Sequence, residues 1–69
     1  MDMILSTRNR LKANVKEIKS DNIIAEVILD VGGQEMCSTI TTNSVNRLGL
    51  KAGDEVIALV KASSVMIGK

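Results

Sequence analysis

Three polar stretches of the chain are rich in hydrogen-bond donors, and two of them also carry a positive charge. Residues 61–65 supply one ammonium group, two hydroxyls and backbone N–H groups, and they contain no carboxylate. Residues 6–9 add a guanidinium group and two hydroxyls, and residues 41–44 add three hydroxyls. A tetrahedral dianion accepts hydrogen bonds through its oxygens and donates none, so hydroxyls, N–H groups and cations are its best partners. The three stretches together therefore predict a site for an oxyanion that stays ionised near neutral pH.

Arg8 and Lys61 supply the charge of this predicted site, because their two positive charges balance a dianion. The neutral donors are the hydroxyls of Ser6, Thr41, Ser44 and Ser63 and the backbone N–H groups around Ala62. Each stretch also has an ordinary structural interpretation: a solvated turn at residues 6–9, a helix cap at residues 41–44 and a solvated charge at Lys61. Capping and anion binding are compatible, since both use the positive end of a helix.

Catalysis has little support in the residue inventory. The chain has no histidine that could serve as a general base, and its carboxylates are scattered among turns and solvent-facing positions. Gly32 and Gly33 lack the Gly-Lys-Ser/Thr continuation of a phosphate-binding loop and predict a hairpin turn instead. A single cysteine, Cys37, leaves a structural zinc site without ligands and is expected to be a small, partly buried side chain without chemistry. We therefore expect a protein that is not an enzyme and uses no cofactor.

The length of the chain limits how stable one subunit can be. Its 69 residues predict one domain, over residues 1–69, close to the size at which a single core is only marginally stable. One cysteine excludes an internal disulfide. Hydrophobic residues make up 45% of the chain, which is more apolar material than a small monomer readily hides. We therefore expect a homo-oligomer that buries apolar surface between its subunits.

Charge and aromatic content argue against two classes of partner. Nine basic and eight acidic residues give a net charge of +1, too small for the electrostatic footprint of a nucleic-acid-binding surface. The chain has no aromatic residue on which a base could stack. No apolar run reaches the length of a membrane span, and the N-terminus lacks a signal-peptide pattern. The sequence thus predicts a cytoplasmic protein that binds neither nucleic acid nor membrane.

Alternation of apolar and polar residues predicts an all-β fold. The predicted strands are residues 11–18, 23–31, 34–40, 55–61 and 65–67. Ile18 falls out of phase with Val15, which predicts a bulge near Glu17. A short helix is expected over residues 41–48, capped by a polar side chain at its start and by Gly49 at its end. A small OB-like five-stranded barrel with one short helix fits this order, with a small open sheet and one helix as the alternative.

Residues 6–12, 40–50 and 53–67 form three motifs whose order and spacing resemble those of the Mop family, the molbindins. The resemblance implies a small OB-like domain that binds molybdate and often tungstate. Stand-alone members of the family form hexamers, described as trimers of dimers, which hold oxyanions at subunit interfaces. Their proposed role is intracellular molybdate storage and homeostasis. This chain is similar to the stand-alone form, because it carries no ATPase or DNA-binding helix-turn-helix region.

By position, the family's interface site falls on residues of all three motifs: Ser6, Thr7, Arg8, Thr41, Ser44, Lys61, Ala62 and Ser63. Two departures from the family pattern lie close by. Thr7 replaces the usual alanine and adds a hydroxyl beside the site, and Ala13 stands where glycine is common. A rival interpretation is a nucleic-acid or protein interaction module on an OB-like barrel, without small-anion binding. A purely structural assembly protein is the third.

Overall fold

Residues 6–69 are described by the computed structural model of the chain, and residues 1–5 lie outside the described part. The mostly apolar residues 1–5 are predicted to form an edge strand or an arm that reaches a neighbouring subunit. This prediction lies outside the described residues. Within residues 6–69 the elements are β1 (Asn9–Ser20), β2 (Ile24–Val31), β3 (Gln34–Thr41), α1 (Thr42–Leu48), β4 (Glu55–Val60) and a 3₁₀ turn (Ala62–Ser64). In the same part of the chain, no helix has the length and apolarity of a membrane span.

The strands form one antiparallel sheet in the order β3-β2-β1-β4. β1 is the longest, at 12 residues, and its two halves have different partners. Its first half pairs with β4, where Asn9 lies opposite Val60, and its second half pairs with β2, where Ser20 lies opposite Ala25. Asn14 is the residue at which the two pairings overlap. β2 and β4 therefore join β1 near opposite ends, which decides where the polar stretches lie.

The core lies on one face of this sheet. Its buried apolar residues are Ala13, Val15, Ala25, Val27, Leu29, Val45 and Ala58. They occupy alternate positions of β1, β2 and β4, together with one position of α1, so the face predicted from alternation is confirmed. Ile28 is also buried, although it lies on the opposite face of β2. This agrees with the second apolar face that the isoleucines of this strand suggested.

A bulge in β1 keeps its second half facing the core. The register between β1 and β2 shifts between Val15 and Glu17, which confirms the irregularity predicted near Glu17. The extra residue, Lys16, reaches Glu35 with its ammonium group at 3.2 Å from the carboxylate. Ile18 consequently packs against the core rather than pointing away from it.

Gly32 and Gly33 join β2 to β3 with positive φ angles of 58° and 90°. Both angles lie in the region that favours glycine, so the predicted hairpin turn is confirmed. Gly33 N donates a hydrogen bond to Asp30 Oδ1 at 2.9 Å, which fastens the turn. The tight turn keeps β3 paired with β2 along its whole length, from Gln34 opposite Val31 to Thr41 opposite Ile24.

The fifth strand expected over residues 65–67 is not present in the described chain. These residues pair with no strand of residues 6–69, and Met66 is 92% exposed. The 3₁₀ turn follows β4 and directs the chain away from the sheet, so residues 65–67 do not continue the pairing of β4. Among residues 6–69 the sheet is therefore open and four-stranded, and the expected five-stranded barrel is not confirmed.

Cys37 is exposed, so the expectation of a partly buried side chain is wrong. Met36, Ser38 and Ile40 are the half-buried residues of β3, and strand alternation places Cys37 on the other face. β3 is also an edge strand of the sheet, so within the described chain it has a neighbour on one side only.

Candidate functional site

A concave pocket of about 420 Å³ lies where β1 begins and β4 ends. The described residues that line it are Ser6, Thr7, Arg8, Lys61, Ala62 and Ser63. Asn9 lies opposite Val60 in the antiparallel pair, so the residues just before β1 and just after β4 must be neighbours. The sheet thus brings together the first and last of the three predicted stretches, which are more than fifty residues apart in the chain.

Thr7 fastens one wall of the pocket. Its hydroxyl donates to the backbone oxygen of Val60 at 2.8 Å and accepts from the backbone N–H of Asn9 at 3.3 Å. Since a hydroxyl has a single hydrogen to donate, the Thr7 side chain must rotate before it can donate to an anion. In this conformation the residue holds the loop at residues 6–8 against the end of β4.

Asn9 supports the pocket through a contact that the sequence did not predict. Its side-chain amide donates to the same backbone oxygen of Val60 at 3.0 Å. Val60 O therefore accepts two side-chain hydrogen bonds, from Thr7 and Asn9, and ties both to the last residue of β4. The sequence signal is a polar residue at the first position of a strand, but only the β1–β4 register shows which carbonyl it reaches.

The 3₁₀ turn at Ala62–Ser64 presents backbone donors on the other wall. Its hydrogen bonds run from Ser64 N to Lys61 O at 2.9 Å and from Val65 N to Ala62 O at 3.3 Å. The N–H groups of Ala62 and Ser63 open the turn and have no acceptor among residues 6–69. The first N–H groups of any helical turn are left without an internal partner. As far as residues 6–69 are concerned, the backbone donors predicted around Ala62 are therefore available.

The pocket is electropositive. Arg8 and Lys61 are both exposed, and no carboxylate is found among the described residues that line the pocket. Within residues 6–69 the ion pairs are Lys16 with Glu35 and Lys51 with Asp54, so neither pocket cation is paired with a carboxylate of these residues. Two like charges beside one concave surface repel each other, and an anion placed between them would relieve that repulsion.

A second, larger concavity has the opposite character. It measures about 500 Å³ and is lined by Lys12, Ala13, Asn14, Asp30, Gly32, Glu55, Val56 and Ile57. Asp30 and Glu55 place two carboxylates there against one ammonium. A fully ionised oxyanion is repelled by such a surface, so size alone does not select the site and charge favours the smaller pocket.

Thr41 and Ser44, the remaining predicted donors, lie at the other end of the sheet. Thr41 pairs with Ile24, and Ile24 begins the strand that pairs with the C-terminal half of β1. Arg8 and Lys61 flank the N-terminal end of β1. One chain therefore carries two separate donor groups, which we call the pocket group (residues 6–8 and 61–63) and the helix group (Thr41, Ser44 and Arg47).

The helix group is built on the N-cap of α1. Thr41 has extended backbone angles, φ −72° and ψ 148°, and its hydroxyl accepts from Ser44 N at 3.1 Å. Gly49 closes the seven-residue helix with φ 64°. The helix-cap interpretation of residues 41–44 is therefore confirmed. Capping does not exhaust the donors, because both hydroxyls stay at the surface.

Ser44 keeps an unused hydroxyl hydrogen. Its Oγ accepts from Thr41 Oγ1 at 2.8 Å and from Arg47 Nη2 at 3.3 Å, so its own hydrogen is free to donate outward. Arg47 was not predicted as a site residue, although its spacing of three from Ser44 places both on one face of the helix. Its guanidinium gives the helix group a positive charge of its own.

The fold and the two donor groups describe one class of protein: a small antiparallel β domain whose ends carry hydroxyls, cations and N–H groups that have no acceptor among residues 6–69. Residues 5–67 match the TOBE domain family, and the chain belongs to this family. It is 44% identical over 66 residues to molybdenum-pterin-binding protein 1 of Clostridium pasteurianum, covering 94% of this chain and 97% of that protein.

Solved structures give the same assignment. The fold matches that of a molybdate-binding protein from Sporomusa ovata with a TM-score of 0.92 and 43% identity, over 97% of this chain and 100% of that one. It matches MopII from Clostridium pasteurianum with a TM-score of 0.88 and 42% identity, over 96% of this chain and 100% of that one. The resemblance to the Mop family that the three motifs indicated is confirmed.

Proposed function

We propose that this protein, a single Mop domain over residues 1–69, binds molybdate or tungstate between copies of itself and catalyses no reaction. The observation that carries the proposal is the pocket group, where two cations, hydroxyls and open N–H groups meet with no carboxylate among the described lining residues. The relatives are named for binding molybdenum-pterin or molybdate, which supports the same class of ligand here.

The separation of the two donor groups supports a site shared between subunits. The resemblance assigns Ser6, Thr7, Arg8, Thr41, Ser44, Lys61, Ala62 and Ser63 to one interface site. In one chain the pocket group and the helix group lie at opposite ends of β1. In our proposal the pocket group of one copy therefore faces the helix group of another, and the ion lies between them.

The assembly in this proposal is a hexamer, a trimer of dimers. Aliphatic residues that are exposed in one chain would be covered there: Ile23, Ile24, Leu48, Ile57, Leu59, Val65, Met66 and Ile67. Burying such side chains contributes about 25 cal/mol per Å² of apolar surface. Residues 65–67 would add to an edge strand of a neighbouring copy, so the OB-like five-stranded barrel would close in the assembly rather than in one chain.

The proposed role is storage and homeostasis of molybdate in the cytoplasm. A protein that binds an ion reversibly and leaves it unchanged buffers the free concentration of that ion. The donor-only chemistry of the pocket group suits this task, because it favours a ligand that is already ionised and offers no group to accept a proton from it.

Titration calorimetry with molybdate, tungstate, sulfate and phosphate tests the proposal. Molybdate and tungstate are larger tetrahedra than sulfate with the same charge, so cavity size would separate them. Phosphate arrives partly protonated and finds no carboxylate among the described pocket residues to accept its proton. We expect heat from molybdate and tungstate and little from the other two. Equal heats from all four anions, or none from any, would contradict the proposal.

A further inference from the structure

The carboxylate of Asp21 closes the loop between β1 and β2 on itself. Asp21 Oδ1 accepts hydrogen bonds from Ile23 N at 2.7 Å and from Ile24 N at 2.8 Å. Asp21 N donates to Ile24 O at 3.0 Å, which completes the turn. Three hydrogen bonds thus fix the backbone of residues 21–24, which we call the Asp21 loop.

The Asp21 loop in turn holds the start of α1. Thr42 Oγ1 donates to Asp21 O at 2.8 Å, and Thr42 N donates to Ile23 O at 2.9 Å. Thr42 follows the N-cap residue Thr41 and lies two residues before Ser44. Both acceptors in these contacts are backbone oxygens of the Asp21 loop, so the position of Thr42 depends on how that loop is folded.

We propose that Asp21 is a positioning residue for the helix group of the oxyanion site. The inference rests on the proposed function. The carboxylate fixes the loop, the loop carbonyls fix Thr42, and Thr42 fixes the directions in which Thr41 and Ser44 present their hydroxyls. Hydrogen-bonded recognition of an ion depends on such directions, because a displaced donor loses most of its hydrogen bond.

The negative charge of Asp21 and its positioning of the loop have opposite effects on the affinity for an anion. A carboxylate at this end of the molecule repels an anion, so removing its charge alone would strengthen binding. Asp21→Ala removes both the charge and the acceptor oxygen. Asp21→Asn removes the charge but keeps an oxygen that accepts from Ile23 N and Ile24 N. The difference between the two variants therefore isolates the positioning effect.

Asp30→Ala is the matched control. Asp30 Oδ1 accepts from Gly33 N at 2.9 Å in the other hairpin, so this variant also removes one carboxylate and opens one turn. The β2–β3 turn lies at the far end of β2 from Thr41. A general loss of stability would affect both alanine variants, whereas a positioning role would affect Asp21→Ala alone.

Titration calorimetry with sodium molybdate on the full chain gives the test. We expect Asp21→Ala to weaken binding about three- to tenfold, the scale of a displaced hydrogen bond. Asp21→Asn and Asp30→Ala should stay within about twofold of the unsubstituted chain. In a Ser44→Ala background, adding Asp21→Ala should weaken binding by a smaller factor than in the unsubstituted chain, because one of the two hydroxyls that it positions is already gone.

Amide hydrogen exchange without molybdate gives a readout that does not depend on the ligand. Thr42 N–H should exchange faster in Asp21→Ala than in Asp30→Ala, and Asp21→Asn should restore its protection. If the unsubstituted chain binds molybdate but the Asp21→Ala variant has equal affinity or unchanged Thr42 exchange, this inference alone is overturned. Absence of molybdate binding by the unsubstituted chain overturns the proposed function and this inference with it.

Discussion

Asn9 and Val60 lie directly opposite each other in the antiparallel pair of β1 and β4, and the side-chain amide of Asn9 donates to Val60 O at 3.0 Å. This pair brings the loop before β1 and the 3₁₀ turn after β4 to the same place. Every residue of the pocket group lies within three positions of one of these two residues. The pair is thus the structural basis for the contact between the two ends of the chain.

Removing the Asn9 amide should loosen the pocket group. Asn9→Ala deletes one of the two side-chain hydrogen bonds to Val60 O. We expect molybdate affinity to fall by about 1 kcal/mol, the net value of one such bond. Titration calorimetry measures this change. Asn14→Ala is the control, because it makes the same substitution on the same strand outside the pocket group. Equal effects of the two variants would show that Asn9 has no special place in the site.

The two pocket cations should each contribute strongly to binding. Arg8→Ala and Lys61→Ala each remove a charge-assisted hydrogen bond, so we expect each to weaken molybdate binding by about 1.5–3 kcal/mol. Lys51→Ala is the control, since it removes a positive charge that is paired with Asp54 and lies outside the pocket. Calorimetry at two salt concentrations separates a direct contact from general charge attraction. Unchanged affinity in both pocket variants would refute the assigned site.

The exposed end of the chain should matter for assembly. Ile67 is 89% exposed in one chain, and Ile67→Asp places a charge where our proposal buries an aliphatic side chain. We expect the variant to sediment as smaller species than the unsubstituted protein at equal concentration. Ala52→Asp adds the same charge in an exposed turn and serves as the control. If Ile67→Asp assembles normally, residues 65–67 do not take part in the interface.

Stability should fall in acid through Asp21. Hydrogen bonds from Ile24 N–H and then Ile23 N–H lower the pKa of Asp21 below its ordinary value of 3.8. A carboxyl group whose pKa is lowered by folding stabilises the folded state above its unfolded pKa, and this contribution is lost as pH falls through the folded pKa. Denaturant unfolding at neutral pH and below pH 4 should therefore show a larger loss for the unsubstituted chain than for Asp21→Asn. Equal losses would show that Asp21 contributes nothing to acid sensitivity.

Local patterns in the sequence predicted most of the fold. Alternation located the core face of β1 and β2, the phase change at Ile18 located the bulge, and Gly32 with Gly33 located the hairpin. The helix was predicted over residues 41–48 with a polar cap at its start and Gly49 at its end, and the structure identifies Thr41 as the cap residue. These features depend on neighbours within a few residues, which is the range over which a sequence pattern carries information.

Features that depend on distant contacts were missed or only partly predicted. Donor chemistry selected Arg8, Lys61, Thr41 and Ser44 as candidate site residues, but it gave no sign that they form two groups. That division follows from which half of β1 each neighbouring strand pairs with. The contacts of Asn9 with Val60 and of Asp21 with Thr42 were not predicted for the same reason, because each joins two different elements. The contact of Arg47 with Ser44 lies within α1, and its local signal, a spacing of three residues, was overlooked.

The position of the two donor groups at opposite ends of β1 has a thermodynamic consequence. An ion that binds both groups must lie between two molecules. Binding of the ion and association of the two molecules therefore strengthen each other. Diluting the protein would then release the ion, and adding ion would strengthen subunit contacts. The apparent affinity for the ion would rise with protein concentration. The protein would therefore keep the ion bound when it is abundant and release it when it is scarce.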